Sequence, residues 1–244
     1  STKKVFFNSM LHELFWYLSG EEHIKKLRDK TKIWDAWADE EGKLETAYGR
    51  FWRRYPVPET GLDGEVFIKE DSKWAKREEN GQLVFDQIQY IIDTLKEMKI
   101  DPNHRNGRRL IVLAWNPGNA AVSKLPPCHY TFAFNVLGSK LNCHLTQRSG
   151  DIALGIPFNL ACYSLLTMMI AKECGYELGE FAHTIIDAHI YENHIDGLKE
   201  QLTRIPGELP TVKIADKPFN ELKFEDITLE NYNPQPLIKF EVAV

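Results

Sequence analysis

The sequence predicts an α+β fold. Three observations carry this. A wide apolar stripe at helical spacing runs through "FFNSMLHELFWYLSG". Two runs with strict period-2 alternation, "YTFAFNVLG" and "KLNCHLTQRS", are joined by a Gly-Ser turn. Helices and strands are interspersed, but the strands pair with near neighbours, which fits α+β better than a doubly wound parallel sheet.

The first helix places Phe7, Met10, Leu11, Leu14, Phe15 and Leu18 on one side and stops at Gly20. "EEHIKKLRDK" reads as a shorter helix with a solvated face, "IWDAWADEEG" as a Trp-rich turn, and "TAYGRFWRRYP" as an irregular aromatic segment closed by Pro56. From about 57 to 83 the chain turns polar, which reads as a surface insertion with a short hairpin. "DQIQYIIDTLKEMK" puts Ile88, Ile91, Ile92, Leu95 and Met98 on one helical side. "DPNHRNGRR" is a turn by composition, and "LIVLAW" reads as a buried strand. "PFNLACYSLLTMMIAKECG" is apolar on nearly every face, so it is expected to be the central buried helix, ended by Gly175. "EFAHTIIDAHIYENHIDGLKEQL" reads as a strand leading into a helix, and the tail as short strands and turns.

The 244 residues suit a single domain over 1–244 with a substantial core. The net charge of −5 offers no global basic field for nucleic acid, so a phosphate would need local arginines. The longest apolar run, "LACYSLLTMMIA", is too short to span a bilayer. Four cysteines without a CxxC pair suggest neither a zinc site nor a disulfide framework, and a cytoplasmic location is expected. The chain opens at Ser1 and enters a helix almost at once, so it reads as beginning partway into a longer protein.

Cys143 alternates with Leu141 and Leu145, while Cys162 and Cys174 sit in the buried helix. These three read as small core residues. Cys128 differs, because Pro126 and Pro127 stiffen the chain just before it. By pattern alone it reads equally as a reactive thiol or a structural one. "QRSGD" sets Gln147, Arg148, Ser149 and Asp151 at a strand end. Arg148 could favour a thiolate or hold a phosphate, or simply pair with Asp151. Asn159 carries an amide that donates and accepts at once, suited to reading one edge of a pyrimidine, although a polar residue early in a helix is ordinary. His189 and Tyr191 lie two apart and could grip a sugar hydroxyl, and no metal-ligand spacing accompanies them. Glu13, if buried, would have a raised pKa and could move protons. With Ser9, His12 and Trp16, however, it reads more simply as part of a solvated stripe. Arg108 and Arg109 read as a solvated pair unless a phosphate is near.

Together and in order, "HELFWYLSG", "IWDAWADEEG", "AYGRFW", "LPPCHY", "QRSGD", "ALGIPFN", "DAHIYENH" and "FEVAV" resemble the signature segments of thymidylate synthases. The resemblance covers nearly the whole chain apart from 57–83. It implies a layered fold in which a large twisted mixed sheet packs against helices and forms a dimer interface. It also implies conversion of dUMP to dTMP with 5,10-methylenetetrahydrofolate as co-substrate, with no metal and no NAD(P). By this match Cys128 would add to uracil C6, Glu13 would hold the water network at O4, and Tyr48 would assist removal of the C5 proton. Asn159 would bind the O4/N3 edge. Gln147, Arg148, Ser149 and Asp151 would complete the dUMP site, with His189 and Tyr191 on the ribose. Arg108 and Arg109 would reach the phosphate in the partner subunit of a homodimer. Trp34, Trp37, Leu125, Asp151, Leu154, Gly155, Phe158, Ala243 and Val244 would form the folate site. No membrane and no obligatory nucleic acid is implied.

The sequence departs from the family pattern in three places. The family's N-terminal strand and arginine loop are absent from this sequence. Ile185 and Ile186 stand where a glycine is expected. Gly150 stands where many members carry a larger residue, and "HRNGRRL" is longer than usual. Asparagine at 159 favours uracil, since the related dCMP hydroxymethylases carry aspartate there. A dUMP hydroxymethylase shares every step up to the exocyclic methylene. A silent nucleotide- or RNA-binding homologue is disfavoured by the complete residue set and the acidic charge. A cysteine hydrolase pairing Cys128 with His129 is disfavoured because neighbours on a strand face opposite ways.

Overall fold

The computed structural model describes residues 1–58 and 72–242. Helix α1 (Phe7–Ser19) ends where Gly20 takes φ 73° and donates its N–H to the Tyr17 carbonyl. Its buried side includes Met10, Leu11, Leu14, Trp16 and Tyr17, and also Glu13. The solvated stripe expected for Glu13 is therefore overturned: both Glu13 and Trp16 turn into the protein. Helix α2 (Lys25–Arg28) is a single turn. The segment expected to be irregular is instead helix α3 (Tyr48–Arg53), with Tyr48, Gly49, Phe51 and Trp52 buried. Its aromatic residues hid a helical spacing because only six residues are helical. Gly49 permits the contact with α1, since a Cβ there would lie 2.4 Å from the Tyr17 carbonyl oxygen.

Strands β1 (Tyr55–Pro56), β2 (Ala75–Arg77) and β3 (Leu83–Phe85) form an antiparallel sheet in the order β1-β3-β2. Of the expected insertion, residues 59–71 lie outside the described residues. The hairpin from β2 to β3 is present, but its end is not surface, because Leu83 and Val84 are buried. Helix α4 (Gln87–Ile100) is capped by the Asp86 side chain, which accepts from the Gln89 N–H at 2.9 Å, and buries Ile88, Ile91, Ile92 and Leu95.

The main sheet runs β4 (Ile111–Leu113), β5 (Thr131–Leu137), β6 (Lys140–Asp151) and β7 (Glu177–His189), in that order. A six-residue helix not anticipated from sequence, α5 (Pro117–Val122), joins β4 to the segment before β5. The first two pairings are antiparallel and local. The pairing of β6 with β7 is parallel, with helix α6 (Gly155–Cys174) as the crossover. As expected, α6 is the central buried helix, ending in Gly175 at φ 70°. It covers one face of the sheet, which contributes Phe132, Phe134, Leu141, Cys143 and Leu145 to the core. Among the described residues the opposite face is bare, so "LIVLAW" is a one-sided strand: Val112 is buried, but Ile111 and Leu113 are 49% and 40% exposed. Helix α7 (Ile195–Leu202) and the antiparallel pair β8 (Thr211–Ile214) and β9 (Ile227–Glu230) complete the chain. Mixed helices and a mixed sheet make the architecture α+β, as the sequence predicts. No helix among the described residues is long and apolar enough to cross a membrane.

Candidate active site

The site is built where β6, the N-terminal part of α6 and the bend before β5 meet. Cys143, Cys162 and Cys174 are buried, and Cys128 alone is partly exposed. Proline carries a carbonyl but no N–H, so the Pro126-Pro127 approach presents acceptors only. Arg148 takes both of them. Its Nε donates to the Pro127 carbonyl at 3.0 Å and its Nη2 to the Pro126 carbonyl at 2.8 Å. The same Nη2 lies 3.6 Å from the Cys128 sulfur. The backbone closes the arrangement: the Arg148 N–H donates to the Cys128 carbonyl at 2.8 Å, and the Cys128 N–H donates to the Tyr48 hydroxyl oxygen at 2.7 Å. The thiol's pKa is pushed up by burial, against which the Arg148 charge pulls down. Burial wins, although Arg148 acts in the expected direction, toward the thiolate. Burial also pushes Tyr48 far above the usual phenol range, helped by the nearby Cys128 charge, so its hydroxyl stays protonated.

His129 faces away from this thiol. It stacks on Tyr48 at 3.7 Å, and its Nδ1 lies 2.6 Å from the Tyr163 hydroxyl. Burial, assisted by His183, lowers its pKa to about 3, so it stays neutral. It is committed to the core and not to Cys128, which removes the geometry of a Cys–His hydrolase.

Gln147 is 3% exposed, and its amide is fully engaged. Its Nε2 donates to the Ser149 carbonyl at 2.8 Å and to Asn159 Oδ1 at 3.1 Å, while its Oε1 lies 3.0 Å from His183 Nε2. Asn159 stands one turn into α6 on the side facing β6. Glu13 accepts from the Trp34 indole N–H at 2.6 Å and is also bonded by Tyr17. Burial raises its pKa above the ordinary carboxylate value, and these two bonds only partly offset that. Trp34 meets Trp37 edge-on at 5.8 Å and Tyr48 at 6.0 Å. A cleft lined by Trp37, Leu44, Thr46, Val122 and Leu125 opens beside this aromatic group, and Thr46 donates to the Leu125 carbonyl at 2.6 Å.

Parallel pairing puts Asp151 of β6 opposite His189 of β7. The His189 and Tyr191 rings meet edge-on at 5.2 Å, although Tyr191 lies beyond the strand. Asp151 accepts from the Ala153 N–H at 2.9 Å and lies 3.7 Å from Nδ1 of the buried His194. Leu154, Gly155 and Phe158 follow at the N-terminal end of α6 and its first turn. Arg108 and Arg109 are exposed just before β4, and among the described residues their side chains make only a 3.4 Å bond, from Arg109 to Asn106. They are not brought to Cys128 within this chain. Ala243 and Val244 lie outside the described residues.

Three residues near the site escaped the sequence reading. Lys3 is buried, with its ammonium on the Ala153 carbonyl and over the Phe240 ring at 4.4 Å. Nothing local separates such a lysine from a solvated one. His183 and Tyr163 are visible only through the sheet register and helix packing that bring them to Gln147 and His129.

Over residues 1–244 the sequence matches the family model described as thymidylate synthase. The chain belongs to the thymidylate synthase family. A thymidylate synthase from Haloferax volcanii is 48% identical over 286 aligned residues, which cover 97% of this chain and 81% of that protein. Gly150 and Ile185, expected from the sequence to depart from the family pattern, meet in space. A Cβ on Gly150 would lie 2.6 Å from Ile156 Cδ1 and 3.0 Å from Ile185 Cγ2. The small residue on β6 and the large one on β7 thus fill one volume, against the helix turn that leads to Asn159.

Gly150→Ala should therefore destabilise by about 1–3 kcal/mol through overpacking. Ile156→Val removes the nearest methyl, so the double variant in urea unfolding should be more stable than the sum of the single effects. Simple additivity would contradict the contact. Glu13 gives a pH prediction. Its folded pKa is raised, so its contribution is fully present below the unfolded value near 4.5 and is lost as pH rises through the folded one. The stability of the protein minus that of Glu13→Gln should fall as pH rises from about 4 toward neutrality. A difference that stays flat or grows would contradict a buried, proton-holding Glu13.

Proposed function

We propose that the chain is a thymidylate synthase, a methyltransferase that converts dUMP to dTMP with 5,10-methylenetetrahydrofolate, leaving dihydrofolate. The observation that carries this reading is the grouping of the partly exposed thiol with Arg148 and Tyr48, next to an Asn159 amide held by Gln147. A thiol beside a guanidinium and a protonated phenol suits addition to an electron-poor carbon and later proton removal.

In this reading Cys128 attacks uracil C6, and the enolate that forms is nucleophilic at C5. Asn159 binds the O4/N3 edge, and Glu13, with its raised pKa, holds the proton network at O4. Tyr48 assists removal of the C5 proton. Arg148 spends Nε and Nη2 on the bend but makes no protein bond through Nη1 among the described residues, which leaves donors for the phosphate beside Ser149. His189 and Tyr191 hold the ribose 3′-hydroxyl. The folate supplies the one-carbon unit and then a hydride. The chemistry of the residues fits it: Trp34, Trp37, Leu125 and Phe158 offer an aromatic and apolar wall, and Asp151 is a carboxylate able to accept from pterin N–H groups.

The protein acts in this reading as a homodimer joined through the bare sheet face, where Ile111, Leu113 and Ile186 are exposed. Arg108 and Arg109, whose side chains have no strong partner among the described residues, reach the phosphate in the partner's site. Ala243 and Val244 are assigned to the folate site in this reading. Cytoplasmic location follows from the activity proposed.

The test is to supply dUMP tritiated at C5 together with methylenetetrahydrofolate. Tritium should enter water, the product should have the mass of dTMP, and Cys128→Ala should abolish both. A hydroxymethyl product would replace this reading by a dUMP hydroxymethylase. No tritium release would overturn it, as would full release by Cys128→Ala.

A further inference from the structure

The hydrogen bonds around Gln147 determine more than its own position. A backbone carbonyl can only accept, so the Gln147 atom 2.8 Å from the Ser149 oxygen must be the NH₂ group. The second N–H of that group points at Asn159, 3.1 Å away, so the Asn159 atom there must be its oxygen. Asn159 Nδ2 therefore points elsewhere, and among the described residues it donates to no protein group. On the other side, Gln147 Oε1 must accept, so His183 Nε2 at 3.0 Å carries the hydrogen. His183 sits two residues before Ile185, the β7 partner of Gln147 in the register, and so shares its face. Gln147 is almost fully buried, so a wrong pairing would leave a polar group cut off from bulk solvent, at a cost.

We infer that Gln147, clamped by the Ser149 carbonyl and His183, is a specificity-determining positioning residue that fixes the polarity of the Asn159 amide. The inference rests on the reading of Asn159 as the group that meets the base edge. With its oxygen pinned by Gln147, Asn159 offers N–H donors outward and keeps one oxygen lone pair free. Uracil matches this with an acceptor at O4 and a donor at N3. Cytosine opposes it with an amino donor at C4 and an acceptor at N3. Turning Asn159 over to suit cytosine would set its NH₂ against the NH₂ of Gln147. That in turn could be relieved only by turning Gln147 against the Ser149 carbonyl, so discrimination against the amino-bearing base is anchored in the backbone of β6.

The test compares dUMP and dCMP binding by calorimetry in the wild-type protein and in Gln147→Glu. An ionised glutamate has no donor for Asn159, so at a pH where the introduced carboxyl is ionised Asn159 should turn and offer its oxygen to the base. The ratio of dUMP to dCMP affinity should fall about tenfold or more. Gln147→Glu that weakens both nucleotides equally, with the ratio unmoved, would overturn the inference and leave a merely structural glutamine. Long-range proton–nitrogen correlation on the labelled wild-type protein reads the clamp without any variant. His183 should be the Nε2–H tautomer, and an Nδ1–H tautomer would overturn the inference. A wild type that binds neither nucleotide would overturn the functional reading and this inference with it. A wild type that discriminates beside an unmoved variant ratio overturns the inference alone.

Discussion

The grip of Arg148 on two prolyl carbonyls is the contact on which the rest of the site depends. Pro126 and Pro127 fix their own φ and supply no N–H, so the ladder cannot hold this bend from the donor side. A guanidinium has a fork of donors in fixed geometry, and here two arms hold the bend while one of them also faces the sulfur. Because Arg148 lies on β6, the bend is tied to the longest pairing in the sheet. The same strand carries Gln147 toward Asn159 and Asp151 toward His189. One strand thus registers thiol, base reader and sugar-side residues against each other. A lysine at 148 would supply a charge but not the fork.

Much of the fold was legible because it follows from periodicity. The helices α1, α4 and α6 and the β5–β6 hairpin declare themselves by apolar spacing and by their glycine ends. What was misread depended on tertiary partners. Six helical residues at α3 are too few for a period, and their burial follows from the approach that Gly49 allows against α1. The parallel pairing of β6 with β7 is set by the α6 crossover. The exposure of Ile111 and Leu113 belongs to a face that no helix covers among the described residues, which no local pattern distinguishes from a buried strand.

The site was legible as a set of residue types but not as a balance of energies. Cys128 stood out from the other cysteines through its prolines, and the structure gives it alone partial exposure. The influence of Arg148 on the thiol was readable in sign, yet burial outweighs it, and burial is a property of packing. Glu13 shows the same dependence on packing: a polar residue on an amphipathic helix looks surface-bound until Trp34 and Tyr17 close over it. Ile185 and Gly150 looked like unrelated departures and prove to be neighbours.

The central claim is that Arg148 both holds the bend and lowers, without fully reversing, a thiol pKa raised by burial. It is tested most directly by the pH dependence of Cys128 alkylation by iodoacetamide. The other cysteines are buried, with Cys143 and Cys174 pushed up to about 12 and Cys162 also pushed well up, so they should not interfere. The rate should titrate with a midpoint above that of an ordinary cysteine, and Arg148→Met should move that midpoint higher still. A wild-type midpoint below the ordinary value, or one that Arg148→Met leaves unmoved or lowers, would contradict the account.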